Sequence, residues 1–180
     1  MNPMSTVRWV VTLALVCLAL VLQVSFFPHL AYHGVVPNLC LLVVVAAALV
    51  RGPEQAAVLG FVAGVLLDLT PPADHVAGRW ALALVVVGYV AGLVRPEPGS
   101  GGESSRPPAL AVVATVAASS FVGTSIYAIS GLVLRDPVVS VGDLLPVILV
   151  GVVWDVLLTP LVLPVVMRLF VALEPGPVRV

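Results

Sequence analysis

Residues 35–69 read VVPNLCLLVVVAAALVRGPEQAAVLGFVAGVLLDL, and only Arg51, Glu54 and Asp68 in that run carry charge. Two apolar segments, 35–50 and 53–69, are separated by nothing more than RGPE at 51–54. Glycine and proline at that point allow a sharp reversal, so the pair reads as a tight helical hairpin. Crossing ~30 Å of hydrocarbon takes about 20 helical residues at ~1.5 Å each. Both segments are short by that measure, and a re-entrant pair that never crosses is the alternative to two full spans.

Working outward, four further apolar runs cover 7–27, 80–94, 109–134 and 144–170. Hydrophobic residues make up 61% of the chain and charged residues 9%, with a mean hydropathy of +1.18. That balance cannot coat a globule in water, so the expected fold is all-α, a polytopic membrane helical bundle of six spans forming one domain. The lipid bilayer is the partner that composition demands. A net charge of −1 supplies no basic field for nucleic acid. The first run is longer than a signal-peptide core and is followed by no small-residue cleavage site, so it reads as a retained span.

Orientation follows from arginine, the chain having no lysine. With the N-terminus inside, Arg8, Arg51, Arg95, Arg106, Arg168 and Arg179 fall on the cytoplasmic side, and Arg79 and Arg135 outside. This bias predicts cytoplasmic N- and C-termini in the plasma membrane. It would weaken if the hairpin did not cross, since Arg51 would then move outside. The segment 95–108, RPEPGSGGESSRPP, is read as a flexible cytoplasmic linker.

Ionisable residues inside spans are the first candidates for function, because each is costly in hydrocarbon. Gly60, Gly64 and Asp68 follow at spacing four and share one helix face, as do Gly151, Asp155 and Thr159. Both acids should therefore point into the bundle, as part of a polar cavity or partner seam, or as buried carboxyls bonded to Gln23, Ser119, Ser120, Thr124 or Ser125. GYVAG at 88–92 nearly repeats GFVAG at 60–64, and Gly88 and Gly92 are read with Gly60 and Gly64 as two close-packing seams. Ser119, Gly123, Tyr127 and Gly131 make a further small-residue face.

Catalytic equipment is absent from the pattern: no HExxH, no GxSxG, no phosphate loop with lysine. His29, His33 and His75 fall in outer loops, too few and too scattered for a metal site, although His29 and His33 could share a helix face and Asp74 precedes His75. Cys17 and Cys40 lie in apolar runs and read as small hydrophobes. No enzyme activity, metal or cofactor is expected.

From Gln23 through Pro28, Gly34, the Pro37–Asn38 pair and the Gly60, Gly64, Asp68 run, and on through GRWALALVVVGYVAGLVR and TPLVLPVVMRL, the chain resembles MreD, the bacterial rod-shape-determining membrane protein family. One departure is Asn38, where the family commonly has Asp. The resemblance implies a fold similar to the substrate-binding subunits of energy-coupling-factor vitamin transporters. It also implies a non-enzymatic scaffold of the cell-wall elongation complex (the elongasome of peptidoglycan synthesis), bound to an MreC-like single-span protein and through it to an MreB-like cytoskeleton and the wall synthases. A partner helix would dock on the glycine faces of span three or four, with Asp68 tuning the contact.

Two other readings compete. A small-molecule-binding transporter subunit of the vitamin-uptake type would use the inward acids, but the spacing-four alanine stripe of such subunits is missing, Ala14 and Ala19 being five apart. An ion- or proton-coupled carrier would use Asp68 and Asp155.

Overall fold

Glycine and proline set where the helices of this chain stop and start. Arg51 ends one helix and Pro53 begins the next, leaving Gly52 as the whole connection. Gly52 has φ +90°, which a side chain would strain, and Pro53 supplies a φ already suited to a first helical turn. At Tyr32–Val35 the two backbones bond each other around His33 and Gly34, both at positive φ, which is the two-residue hairpin geometry that matches strand twist.

The computed structural model describes residues 3–71, 76–95, 108–134 and 144–174. Among them are six α-helices and no β-strand: α1 Pro3–Ser25, α2 Leu39–Arg51, α3 Pro53–Asp68, α4 Arg79–Leu93, α5 Ala109–Val133 and α6 Leu144–Leu173. A short 3-10 turn, Phe27–Leu30, follows α1. Most of the expected linker, His75 with Asp74, Arg106, Arg135 and Arg179 fall outside the described residues.

Helices α1, α5 and α6 are long and apolar enough to cross a membrane. The other three are not. At 13 residues α2 is about 20 Å long. The apolar segment from residue 35 begins as non-helical backbone, and the helix starts only at Leu39, because Pro37 and the cap at Asn38 interrupt it. Composition could not separate the two conformations, since Pro37 and Asn38 are as buried as the helix that follows.

Helix α2 is the axis of the bundle. Every residue from Leu39 to Leu49 is buried, and α1, α3, α4, α5 and α6 all pack on it. A helix apolar on all sides has to be enclosed in this way. The outer helices each bury one stripe and expose the other, as with Val10, Leu13 and Leu18 of α1 or Leu157, Leu161 and Val165 of α6. Cys17 lies on the exposed side of α1, whereas Cys40 is fully enclosed; both are free thiols. Pro160 and Pro164 interrupt the hydrogen-bond ladder of α6 at exposed positions.

Candidate functional site

The two glycine stripes face each other. A Cβ at Gly60 would strike the Leu84 carbonyl, one at Gly64 the Ala81 backbone, one at Gly88 the Ala56 carbonyl at 2.5 Å, and one at Gly92 the Pro53 backbone. Each step up α3 is matched by the same step down α4, so GFVAG and GYVAG form one antiparallel seam. This corrects the reading of two separate seams. It also corrects the expected docking of a partner helix on either stripe, because that space is already filled from within the chain.

The same register explains Asp68. One turn beyond Gly64, α3 reaches the N-terminus of α4, whose leading Gly78 has no side chain to cap it. The Asp68 carboxylate, 3% exposed, accepts the Gly78 amide at 2.8 Å and those of Trp80 and Ala81 at 3.1 Å each. Three orphan donors and the positive end of the helix dipole are met by one side chain from the neighbouring helix. None of the polar side chains expected to bind this acid is among those three partners.

Asp155 does the equivalent for α2. Its Oδ1 accepts the Asn38 amide at 2.7 Å and its Oδ2 the Ser120 hydroxyl at 2.6 Å. Around the same helix start, the Asn38 side chain accepts the Leu41 amide at 2.9 Å, and Gln23 Oε1 accepts the Cys40 amide at 3.3 Å. Side chains from α1 and α6 and the cap residue itself thus satisfy a helix that begins inside the bundle. Irregular backbone in a membrane protein is tolerated away from water only when protein encloses it in this manner. Pro37 fits beside it because proline has no amide hydrogen to leave unpaired. Ser120 was among the expected partners; the Asn38 backbone was not. The Gly151, Asp155, Thr159 stripe is buried as expected, and Asn38 Nδ2 is enclosed without an acceptor among the described residues.

Histidines play no part in this arrangement among the described residues. His29 Nδ1 lies 3.2 Å from the Phe26 carbonyl oxygen, and His33 sits edge-on to Tyr32 in the tight turn. The helix face that the two could have shared does not form, since the 3-10 turn ends at Leu30.

Two clusters were not foreseen. Arg79, expected in an outer loop, is 3% exposed: Nη2 donates to the Tyr127 carbonyl at 2.8 Å and the guanidinium lies 3.9 Å over the Tyr127 ring, on which Trp80 also stacks. At the opposite end of the bundle Glu174 accepts both Arg8 at 2.7 Å and Arg51 at 3.1 Å. Arg51 also donates to Thr12 at 3.0 Å and covers the Phe170 ring at 4.4 Å. Its side chain is only 5% exposed. In the sequence both arginines served only to set orientation, and their burial shows only through partners distant in sequence.

Among known proteins, the family model described as rod shape-determining protein MreD matches residues 4–169. The chain belongs to the MreD family. That assignment makes it a membrane protein of bacterial rod-shape determination, in line with the apolar helices and with the ordered features from Gln23 to TPLVLPVVMRL. Comparison with curated proteins and with solved structures found no match. Within this MreD family member, the nine residues singled out from the sequence form two sets. Gln23, Pro37, Asn38 and Asp155 meet at the start of α2; Gly60, Gly64, Asp68, Gly88 and Gly92 form the α3–α4 seam.

Proposed function

We propose that this chain is a non-enzymatic scaffold of the cell-wall elongation complex, holding partner membrane proteins and helping to maintain cell shape. The observation that carries the reading is the use made of the intramembrane acids. Asp68 and Asp155 are each engaged by helix-start amides, so both serve the architecture. Between helices in lipid there is no hydrophobic drive, and close backbone packing and hydrogen bonds must supply the cohesion. The seam and the two helix caps are of that kind, and they suit a rigid body that others bind.

In this reading all six helices belong to a six-span bundle of the energy-coupling-factor subunit type, with both ends cytoplasmic. The Arg8–Glu174–Arg51 cluster supports it, since it gathers the start of α1, the α2–α3 turn and the end of α6 at one end. An MreC-like single-span protein is the expected direct partner, linking onward to an MreB-like cytoskeleton and the wall synthases. With the glycine stripes occupied, its contact falls on the outer apolar faces.

Cross-linking the full chain in its native membranes and identifying the captured species tests this. A single-span protein with a large outer domain is the expected product, and its repeated absence overturns the scaffold reading. A cysteine introduced by Ser104→Cys in the linker should react with an impermeant reagent only when the cytoplasmic face is open, which checks orientation separately.

A further inference from the structure

Between α1 and α3 the bundle leaves a groove of about 240 Å³, lined by Trp9, Val10, Thr12, Leu13, Leu59 and Val62. Its lining is apolar apart from the buried Thr12, whose hydroxyl takes a hydrogen bond from Arg51. The groove therefore opens sideways on the apolar surface and ends one hydrogen bond away from the arginine cluster.

That cluster is richer in cations than its anions can answer. Arg8 and Arg51 share the single carboxylate of Glu174. Arg51 Nη2 is enclosed with no acceptor among the described residues. Arg95 brings a third guanidinium to the same turn, with Nη1 3.2 Å from where a Cβ on Gly52 would stand, and it has no ion pair among the described residues. Glu54 is exposed on the first turn of α3, also without an ion pair among those residues. Among the described residues, Arg8, Arg51 and Arg95 at this end face Glu54 and Glu174, a balance of one positive charge.

A sideways apolar slot leading to three guanidinium groups that share one carboxylate at a bundle end matches a long alkyl chain joined to a phosphate. We infer that the groove and the arginines form one site for an anionic phospholipid of the leaflet that meets this end of the bundle. One acyl chain lies between α1 and α3, Trp9 sits at headgroup level as interfacial tryptophans do, and the phosphate rests by Arg8 and Arg95 with Arg51 behind. The site needs only that the bundle is embedded in a membrane, and holds whichever protein partner the scaffold takes.

Native mass spectrometry of the purified full chain with equimolar dioleoyl phosphatidylglycerol and dioleoyl phosphatidylcholine tests the site. Preferential retention of phosphatidylglycerol is expected. Arg95→Gln, at the turn and away from the helix interfaces, should weaken that preference about fivefold. Val62→Trp, which fills the groove, should reduce retention of both lipids. Equal retention of the two lipids by the unaltered chain overturns the inference, as does retention unchanged in both variants. Glycerol 1-phosphate, which has no acyl chains, should not displace the bound lipid; displacement at comparable concentration would make this a free-anion site and overturn the lipid assignment.

Discussion

Asn38 and Asp155 lie 117 positions apart in the chain, and the backbone amide of the first is held at 2.7 Å by the carboxylate of the second. Through that bond α6 fixes where α2 begins. Gln23 of α1 bonds the Cys40 amide two residues further on, so three segments agree on one helix start. The loop that leads there from the Tyr32–Val35 turn is thereby pulled into the bundle.

Substitutions at Asp155 should grade by how many donors they strand. Asp155→Leu leaves the Asn38 amide and the Ser120 hydroxyl buried without an acceptor, at about 1–3 kcal/mol each. Asp155→Asn keeps one carbonyl oxygen for the Asn38 amide, and the Ser120 hydroxyl can turn to accept. Thermal unfolding of the purified protein in one detergent should rank the unaltered chain above Asn and Asn well above Leu. An Asn variant as unstable as Leu would show that charge matters more than the hydrogen bonds.

Asp68→Ala removes the cap of α4 without opening a large cavity, and should cost about 1–2 kcal/mol on the scale of helix caps. Gly78 cannot replace it. Hydrogen exchange by mass spectrometry gives the local readout: peptides covering the start of α4 should lose protection while α5 and α6 change little. Uniform loss across the bundle would mean that Asp68 anchors more than this helix end.

The spacing of Gly60, Gly64 and Asp68 was legible in the sequence because a period of four names a helix face directly. What that face meets was not legible. Reciprocal packing with Gly88 and Gly92 depends on antiparallel register between two helices, which no local pattern carries. Asn38 with Asp155 is the same difficulty over a longer separation. The burial of Arg51 and Arg79 was hidden for another reason: each stands next to a turn, where charge is normally solvated, and their burial rests on Glu174, Thr12 and Tyr127 arriving from distant helices. The late start of α2 was hidden because enclosed irregular backbone and enclosed helix draw on the same apolar residues.

The seam predicts a contrast among glycines. Gly60→Ala, Gly64→Ala and Gly88→Ala each push a methyl group into facing backbone, and overpacking of that kind costs about 1–3 kcal/mol. At Gly151 the nearest atom to an added Cβ is a Val35 methyl at 3.9 Å, an ordinary contact. Gly151→Ala should unfold within a degree or two of the unaltered protein, while the seam variants fall several degrees lower, as expected for ~1 kcal/mol or more in a chain of this size. A Gly64→Ala variant that matches Gly151→Ala would mean that α3 and α4 stand further apart than described.

Glu174 and Arg8 should prove unequal partners. Their pair is one-quarter to one-third exposed, and such ion pairs contribute about 0–1 kcal/mol. Arg8→Ala therefore removes little, since Glu174 retains Arg51. Glu174→Ala takes the carboxylate from both arginines, and Arg51, 5% exposed, is left enclosed with only the Thr12 hydroxyl and the Phe170 ring. An enclosed charge that loses its counter-ion costs far more than a surface pair yields. Unfolding midpoints should fall little for Arg8→Ala and substantially for Glu174→Ala. Adding Arg51→Met to Glu174→Ala should restore much of the loss, because the stranded charge goes with it. If Glu174→Ala is as mild as Arg8→Ala, water reaches Arg51 and the cluster does not tie the two chain ends to the α2–α3 turn.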